Sequence, residues 1–273
     1  MIGDLWRLLM REKWESQVPL TWLLHTPGAM NARFAQQAKV QTAPDADDAL
    51  LVTINGEKYI WPKDAPLDDL LAVVCELAEP KHPHQYFWNA TQVKPGDVVL
   101  DIGSCEGTFA AIVAAKGAEV IAIEPSPRMQ RIIRRLFEIR NLPQPKIVGC
   151  ALGATSGSAA LIENADHPAY ARLDDASAGN GSVPVLSLDD FVEQQKLEKL
   201  DFIKCDAEGM DVDIITSGKK TLERFRPKLV ICTYHADDHF NRLAEFLDKL
   251  DYNVQGKGFL HDKKFRVMML HAW

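Results

Sequence analysis

The sequence lacks the surplus of basic residues that is typical of nucleic-acid-binding proteins. Its 273 residues include 31 lysines and arginines against 38 aspartates and glutamates, a formal net charge of −7. A negative surface repels the phosphates of nucleic acids and the headgroups of anionic membranes. We therefore expect no nucleic-acid partner.

Paired cysteines, a leader and long apolar runs are missing as well. The five cysteines are odd in number and none forms a C-x-x-C pair, so neither a zinc site nor a disulfide framework is indicated. No metal site is predicted. The N-terminus has no signal-peptide pattern, and no run approaches the length of a membrane span. Unpaired cysteines are typical of a reducing compartment. These absences predict a cytoplasmic protein without an integral membrane segment.

The chain is organised around residues 98–125, VVLDIGSCEGTFAAIVAAKGAEVIAIEP. A short apolar strand runs into Asp101, a helix of small residues begins near Thr108, and a second apolar strand runs into Glu124. The crossover of such a βαβ unit is right-handed, so the two strands lie parallel. Ligands of open α/β sheets bind just beyond the carboxyl ends of these strands.

Glycines and a carboxylate at those strand ends predict an adenosine-type ligand. Gly103 lets the backbone come close to a ligand, and Gly107 lets the helix start tight against the strand. Glu124 follows Asp101 by 23 positions (124 − 101). A carboxylate there can hold a ribose diol through two charge-assisted hydrogen bonds.

S-adenosylmethionine suits this element better than a dinucleotide does. The G-x-G-x-x-G fingerprint is absent, because only Gly103 and Gly107 are present. The carboxylates of Asp101 and Glu106 would repel a diphosphate but favour the amino group and sulfonium of S-adenosylmethionine. The alternative is a βαβ unit without a ligand, since glycine turns and acidic strand ends also occur in inert folds.

The first 90 residues predict an N-terminal extension of helices and a β-hairpin. Apolar residues at helical spacing near the N-terminus indicate a helix that packs on the domain or on a partner subunit, the latter giving a homo-oligomer. The alternative is an amphipathic helix that contacts a membrane, which the small number of basic residues disfavours. Residues 41–48 are typical of a linker, 50–60 of a hairpin with a type I′ turn at Asn55-Gly56, and 66–78 of a helix. The histidine- and aromatic-rich segment 81–88 is expected to form a lid or a plug, or to contact the substrate.

The ligand-binding domain is predicted to span residues 91–273. Its strand 200–205 runs into Asp206-Ala207-Glu208-Gly209, and its strand 228–232 runs into Thr233-Tyr234-His235. Because these carboxyl ends are adjacent, Asp206, Glu208 and His235 are expected to converge as catalytic groups. Residues 155–183 read as an irregular flap with one strand near 159–163. Two final runs, near 252–255 and 265–270, predict an antiparallel pair that closes the sheet.

From about Ile54 onward the chain resembles the FkbM family of S-adenosylmethionine-dependent methyltransferases. Five motifs carry the resemblance in order: DIGSCEGTFA (101–110), IEPSP (123–127), ALG with a following glycine (151–157), LDDF (188–191) and DFIKCDAEGMD (201–211). The resemblance implies the α/β fold of class I methyltransferases, a Rossmann-like, mostly parallel seven-stranded sheet with an antiparallel last hairpin. It also implies methyl transfer to a hydroxyl of a sugar or secondary metabolite, a small-molecule acceptor.

The motifs and strand ends together yield a set of candidate site residues. Asp101 and Glu106 are expected to hold the methionine end, Glu124 the ribose, and 150–152 the adenine. The full predicted cofactor set is Asp101, Gly103, Ser104, Glu106, Gly107, Thr108, Glu124, Pro125, Ser126, Cys150, Ala151, Leu152 and Asp206. The predicted catalytic set is Asp206, His235 and Glu208, with Asp206 or His235 as the base.

Each catalytic candidate has an alternative reading. Glu208 can instead cap the helix that follows its strand. Asp206 and His235 can bind a divalent metal, although no third ligand is evident, and His235 can be a satisfied core histidine. At the level of function, the alternatives are a nucleotide-dependent oxidoreductase and a non-catalytic cofactor-binding or assembly protein. The sequence does not identify the acceptor.

Overall fold

The structure is a computed structural model, and it describes residues 25–46, 48–88, 90–163, 171–174, 182–261 and 264–273. The helix predicted near the N-terminus, and with it the predicted contact to a partner subunit, lies outside this part of the chain. Within it, no helix combines the length and the apolar character needed to cross a bilayer.

The described chain begins with a layer of two helices and a three-stranded sheet. In chain order these are α1 (Pro27–Gln37), β1 (Val40–Pro44), β2 (Ala49–Ile54), β3 (Glu57–Pro62) and α2 (Leu67–Ala78). The strands pair in the order β1-β2-β3, all antiparallel. Asn55 and Gly56 join β2 to β3 with φ angles of +53° and +94°. Positive φ at both positions is what a type I′ hairpin turn requires, so the predicted hairpin is confirmed.

The predicted linker over residues 41–48 is wrong in its first half. Residues 40–44 form β1, which pairs with β2 from Val40 opposite Ile54 to Pro44 opposite Leu50. The side chains of β1 are mostly exposed, because it is an edge strand with little to bury. Its polar, proline-containing sequence therefore resembles a linker, and proline is tolerated at such an edge.

The remaining strands form two sheets. In chain order the strands are β4 (Val98–Ile102), β5 (Glu119–Ile123), β6 (Lys146–Val148), β7 (Ala151–Leu152), β8 (Gly157–Glu163), β9 (Ala171–Asp174), β10 (Ser182–Leu186), β11 (Phe202–Cys205), β12 (Lys228–Cys232), β13 (Val254–His261) and β14 (Lys264–Ala272). The accompanying helices are α3 (Thr108–Ala115), α4 (Pro127–Ile139), α5 (Leu188–Gln194), α6 (Asp211–Thr216), α7 (Lys219–Phe225) and α8 (His239–Asp248).

The larger sheet has seven strands in the order β13-β14-β12-β11-β4-β5-β6. Five neighbouring strands are mutually parallel, namely β12, β11, β4, β5 and β6. Strand β14 runs antiparallel to both β12 and β13. Strand order reverses between β4 and β11, which is the point where such sheets bind ligands. The predicted α/β fold with a mostly parallel sheet and an antiparallel end is confirmed.

The predicted flap contains more regular structure than expected. Strands β7, β10, β8 and β9 form a separate four-stranded sheet in that order. The expected strand near 159–163 is present as β8, whereas β9 and β10 were not predicted. Their sequences are short and contain Asp, Ser and Pro, so they carry little strand signal. Residues 164–170 and 175–181 of the flap lie outside the described residues.

Two apolar cores cover the two faces of the large sheet. One contains side chains of the N-terminal layer, including Trp61 and Leu70, together with side chains of α3 and α4 such as Phe109 and Phe137. The other is formed with α5 to α8. The N-terminal layer therefore packs on the same face of the large sheet as α3 and α4. The domain boundary at residue 90 stays a prediction.

Candidate active site

A cavity of about 320 Å³ opens at the carboxyl ends of β4, β5 and β11. This volume falls at the lower end of small-molecule sites. Its floor is made by the strand ends of the large sheet. Another part of its wall comes from Trp61 and Glu76 of the N-terminal layer and from His84 of the segment 81–88.

Most of the predicted cofactor residues line this cavity, and three do not. Those at the cavity surface are Gly103, Ser104, Glu106, Glu124, Pro125, Ser126, Cys150, Ala151, Leu152 and Asp206. Asp101, Gly107 and Thr108 lie behind it and are buried or structural. The strand-end argument thus brings residues from four separate segments of the chain to one cavity.

Glu124 is fixed in place by the backbone around it. Its Oε2 accepts a hydrogen bond from the backbone N–H of Cys105 at 2.9 Å, and its Oε1 accepts one from that of Ser126 at 2.8 Å. Burial raises the pKa of Glu124 to about 7, although both backbone bonds lower it. Each oxygen keeps a further lone pair. The carboxylate is therefore positioned to accept from additional donors on the cavity side.

Gly103 is required for a different contact from the expected one. Its φ is +70°, and a Cβ added there would lie 2.0 Å from the backbone oxygen of Asp206. The backbone of the turn after β4 therefore packs directly against the backbone that follows β11. Gly107, with φ of +83°, meets the side chain of Ile133 on α4, at 2.9 Å from an added Cβ. Both glycines serve close packing within the protein.

Asp101 contacts Lys204 on the neighbouring strand. The two residues are partners in the register of β4 and β11, and their Oδ1 and Nζ atoms are 3.1 Å apart. Lys204 also donates to the backbone oxygen of Gly103 at 2.6 Å. Burial lowers the pKa of Lys204, but the charges of Asp101 and Asp206 outweigh it and raise the pKa. Asp101 thus holds a buried ammonium, and its expected contact with a methionine end stays a prediction.

Asp206 follows β11 and contacts the segment 81–88 across the cavity wall. Its Oδ2 accepts a hydrogen bond from the hydroxyl of Tyr86 at 2.9 Å, and the hydroxyl of Tyr234 lies 3.5 Å from its Oδ1. Burial raises the pKa of Asp206, but the charges of His84 and Lys204 outweigh it, and the pKa is lowered. The side chain is therefore a carboxylate at neutral pH.

His235 and Glu208 lie beside Asp206, as the adjacent strand ends predict. The Nε2 of His235 is 3.9 Å from Oδ1 of Asp206 and 3.8 Å from Oε2 of Glu208. Its Nδ1 is 3.0 Å from Oδ2 of the buried Asp211. Burial lowers the pKa of His235, yet the hydrogen bond and charge of Asp211 raise it overall. Glu208 lines the cavity, whereas His235 is not among the lining residues.

The alternative role of Glu208 as a helix cap is not seen. The backbone N–H groups of Ala207 and Gly209 donate instead to the carboxylate of Asp211, at 3.0 and 3.3 Å. Asp211 is the first residue of α6. Glu208 itself has a φ of +49°. Its side chain is partly exposed at the cavity mouth.

Three polar residues of the site were not predicted individually. Lys204 sits in the middle of the apolar strand FIKC, where a lysine is unusual enough to be a signal. His84 belongs to the segment 81–88, and Glu76 lies on α2. The Nδ1 of His84 is 2.8 Å from Oε2 of Glu76, and its Nε2 is 2.9 Å from Sγ of Cys232. These partners are too distant in sequence for spacing to have linked them.

Among the residues that the structure describes, two groups of side chains are close enough to share a metal ion. One is His84, Asp206 and Cys232, and the other is Asp211, His235 and His239, with ligand atoms within 4.8 Å of one another in each group. Asp206 and His235, the pair considered from the sequence, fall into different groups. In both groups the imidazole already bonds to a neighbouring member, so no ion is needed to explain the arrangement.

Comparison with known proteins points to one chemistry. The model of the methyltransferase FkbM domain matches residues 101–254. The hexuronic acid methyltransferase AglP of Haloferax volcanii is 27% identical over 177 residues, 64% of this chain and 72% of that protein. The 2-O-methyltransferase NoeI of Sinorhizobium fredii is 28% identical over 154 residues, 49% of this chain and 62% of that protein.

The solved structures include a similar fold. A methyltransferase FkbM from Methylobacillus flagellatus superposes with a TM-score of 0.50 at 18% identity. The match covers 76% of this chain and 54% of that one. The chain thus spans about half the length of that protein.

Proposed function

Because this chain belongs to the FkbM family of methyltransferases, we propose that it transfers a methyl group from S-adenosylmethionine to a hydroxyl of a small, sugar-like molecule. The observation that carries the proposal is the position of Glu124. Its carboxylate, oriented by two backbone N–H groups, faces a cavity at the switch point of the sheet.

The residues of the cavity fit this cofactor. Glu124 can accept both hydroxyls of a ribose, and 150–152 supply a small apolar surface for an adenine. Glu106 adds a buried carboxylate on the same side. The charge at the cavity surface suits a cationic ligand, and the turn after β4 offers no cluster of glycines for a diphosphate. A nicotinamide dinucleotide therefore fits less well.

When bound, the cofactor supplies an electrophilic methyl group on a sulfonium. The remaining work falls to side chains of this chain. They must hold the acceptor oxygen in line at near-attack distance, and this positioning accounts for most of the rate in such displacements. They must also take the proton of the hydroxyl. Asp206 is a carboxylate at the cavity surface and is our candidate for contact with that hydroxyl, with Glu208 and His235 as its neighbours.

The names of the relatives support oxygen as the acceptor atom. One relative is named for hexuronic acid and the other for 2-O-methylation. The first name gives a sugar acid as the substrate of that protein, and the second gives oxygen as the atom that is methylated. A hydroxyl of a sugar is therefore the acceptor class that we propose for this chain.

Two measurements test the proposal. Titration calorimetry should show binding of S-adenosylmethionine and none of NADH. A panel of methyl glycosides of neutral hexoses and hexuronic acids, incubated with methyl-labelled cofactor, should yield a methylated sugar. Binding of NADH in place of S-adenosylmethionine would contradict the proposal outright. Cofactor binding with no transfer to any panel member would favour the non-catalytic alternative.

A further inference from the structure

Part of the cavity wall comes from outside the family match. The FkbM model covers residues 101–254. Helix α2 and the segment 81–88 precede that region, yet Glu76, His84 and Tyr86 all line the cavity. His84 and Tyr86 contact Asp206, which lies inside the matched region, and Glu76 contacts His84.

The contacts among these residues form a continuous polar chain. Glu76 Oε2 lies 2.8 Å from Nδ1 of His84, and Nε2 of His84 lies 3.7 Å from Oδ2 of Asp206. The hydroxyl of Tyr86 bridges the last gap, at 2.9 Å from that oxygen and 3.4 Å from Nε2. With Nδ1–H donated to Glu76, the neutral imidazole presents the lone pair of Nε2 to the thiol of Cys232 at 2.9 Å and to the hydroxyl of Tyr86 at 3.4 Å.

The two histidines beside Asp206 differ in their access to the cavity. Each is held at Nδ1 by a carboxylate, His84 by Glu76 and His235 by Asp211. His84 is at the cavity surface, and His235 is not. The hydroxyl of Tyr86 also lies between Asp206 and His84, whereas Nε2 of His235 is separated from Oδ1 of Asp206 by 3.9 Å. This difference favours His84.

We infer that His84, oriented by Glu76, takes up the proton that the acceptor hydroxyl loses, and that Asp206 and Tyr86 pass it along. The inference rests on the proposed function. His84 acts through Asp206, and Glu76 is a positioning residue.

The step balances in atoms and charge. The acceptor O–H bond breaks, an O–CH₃ bond forms, and the electron pair of the S–CH₃ bond stays on sulfur. The proton goes first to Asp206. Asp206 then donates it to the hydroxyl oxygen of Tyr86 while Tyr86 gives its own hydroxyl proton to Nε2 of His84, which becomes an imidazolium. Asp206 returns to the carboxylate form, and Glu76 compensates the charge of the imidazolium.

The electrostatics favour this direction of transfer. Burial lowers the pKa of His84, but the charge and hydrogen bond of Glu76, with the charge of Asp206, raise it above its ordinary value. The pKa of Asp206 is lowered. A proton shared by the two groups is therefore held by His84, and His84 accepts a proton only above the pH at which it titrates. Of the other groups facing His84, Lys204 opposes its protonation, and burial keeps Cys232, Tyr86 and Tyr234 neutral by raising each pKa.

Nuclear magnetic resonance of histidine-labelled protein tests the inference without an acceptor. With S-adenosylhomocysteine bound, the signal lost in His84→Gln should titrate with a midpoint above about 6.5, the ordinary value for histidine. Glu76→Gln should lower that midpoint. Glu79→Gln is the matched control, because Glu79 is an exposed glutamate at the end of the same helix, and it should leave the midpoint in place. A midpoint unmoved by Glu76→Gln overturns the inference.

Kinetics supply the second readout. With the sugar found in the panel above, kcat should fall as the pH drops through the midpoint of His84. Glu76→Gln should shift this fall in kcat to lower pH. His84→Gln should lower kcat by about 100-fold, within the usual range for general-base catalysis, and should remove the acidic limb of the pH profile. If the limb survives in His84→Gln and disappears in His235→Gln, then His235 is the base and the inference is overturned.

Calorimetry with S-adenosylmethionine should give an unchanged Kd in His84→Gln. If the unmodified protein did not bind S-adenosylmethionine at all, the proposed function itself would be contradicted.

Discussion

Glu124 is the residue on which cofactor recognition depends in our proposal. Its two oxygens are oriented by backbone N–H groups rather than by side chains, so its direction is set by the fold. Substitution of its neighbours should therefore leave its orientation largely intact. Substitution of Glu124 itself should remove two charge-assisted acceptors at once.

Glu124→Gln should weaken the binding of S-adenosylmethionine by about 10- to 100-fold, because hydrogen bonds to a charged group contribute about 1.5–3 kcal/mol each. Calorimetry measures this change. Glu119→Gln is the matched control, since Glu119 is exposed at the other end of β5, and it should bind as the unmodified protein does. Equal affinities in the two variants would contradict the assignment of Glu124 to the ribose.

The pH dependence of binding should follow the same group. Burial raises the pKa of Glu124 to about 7. The protonated form loses an acceptor, so affinity should rise as the pH increases through about 7 and level off above it. Below that value, affinity should fall by up to about tenfold for each pH unit. Calorimetry at several pH values measures the curve, and Glu124→Gln should flatten it.

Gly103→Ala should prevent the site from forming. An added Cβ would lie 2.0 Å from the backbone oxygen of Asp206, and the φ of +70° is strained for any L side chain. We expect a loss of more than about 3 kcal/mol in the free energy of unfolding, measured with urea. Gly28→Ala, on α1 with no atom near the added Cβ, should change it by less than about 1 kcal/mol.

At the scale of elements, the site depends on how helix α2 is held. Trp61, at the end of β3, donates its indole N–H to the backbone oxygens of Ala65 and Pro66, 3.3 and 3.2 Å away. These bonds set the turn from the hairpin into α2. Leu70, Leu71 and Val74 then anchor the helix in the apolar core. Glu76 reaches the cavity from the same helix.

Leu70→Ala should lower the free energy of unfolding by about 2–5 kcal/mol, because Leu70 is fully buried and its truncation leaves a cavity. Asp68→Ala, two residues earlier and exposed, should cost less than about 1 kcal/mol, mainly through the helix dipole. Urea denaturation followed by circular dichroism measures both. Similar losses in the two variants would indicate that α2 is not anchored as described.

Elements with a strong local signal could be predicted, and others could not. The turn at Asn55-Gly56 is marked by its two residue types, and the strands that lead to Asp101 and Asp206 are marked by their short apolar runs. Strand β1 was missed because an exposed edge strand buries few side chains. The contact of Glu76 with His84, and of His84 with Asp206, depends on how α2 packs on the sheet. No spacing in the sequence encodes that packing.

At the scale of the whole molecule, the N-terminal layer and the seven-stranded sheet share one core. Side chains of β2, β3 and α2 pack in it with those of α3 and α4. A shared core couples the stability of the layer to that of the sheet. Ligand binding at the cavity, which both parts line, should therefore stabilise both together.

S-adenosylmethionine at 100 times its Kd should stabilise the protein by about 2.7 kcal/mol. At roughly 2–4 °C per kcal/mol for a chain of this size, the Tm should rise by several degrees. Scanning calorimetry should show a single transition that moves as a whole, with no movement on addition of NADH. Two transitions, only one of them shifted, would contradict the shared core.

The division of the cavity wall between two stretches of the polypeptide restricts how sequence can be exchanged between relatives. Glu76 and His84, to which we assign the proton, precede residue 90, whereas the strand-end carboxylates proposed for the methyl donor follow it. The two stretches also share one apolar core. A chimaera that joins the amino-terminal stretch of one relative to the sheet of another should therefore keep its activity only if it retains both the polar contacts to Asp206 and the packing on the sheet.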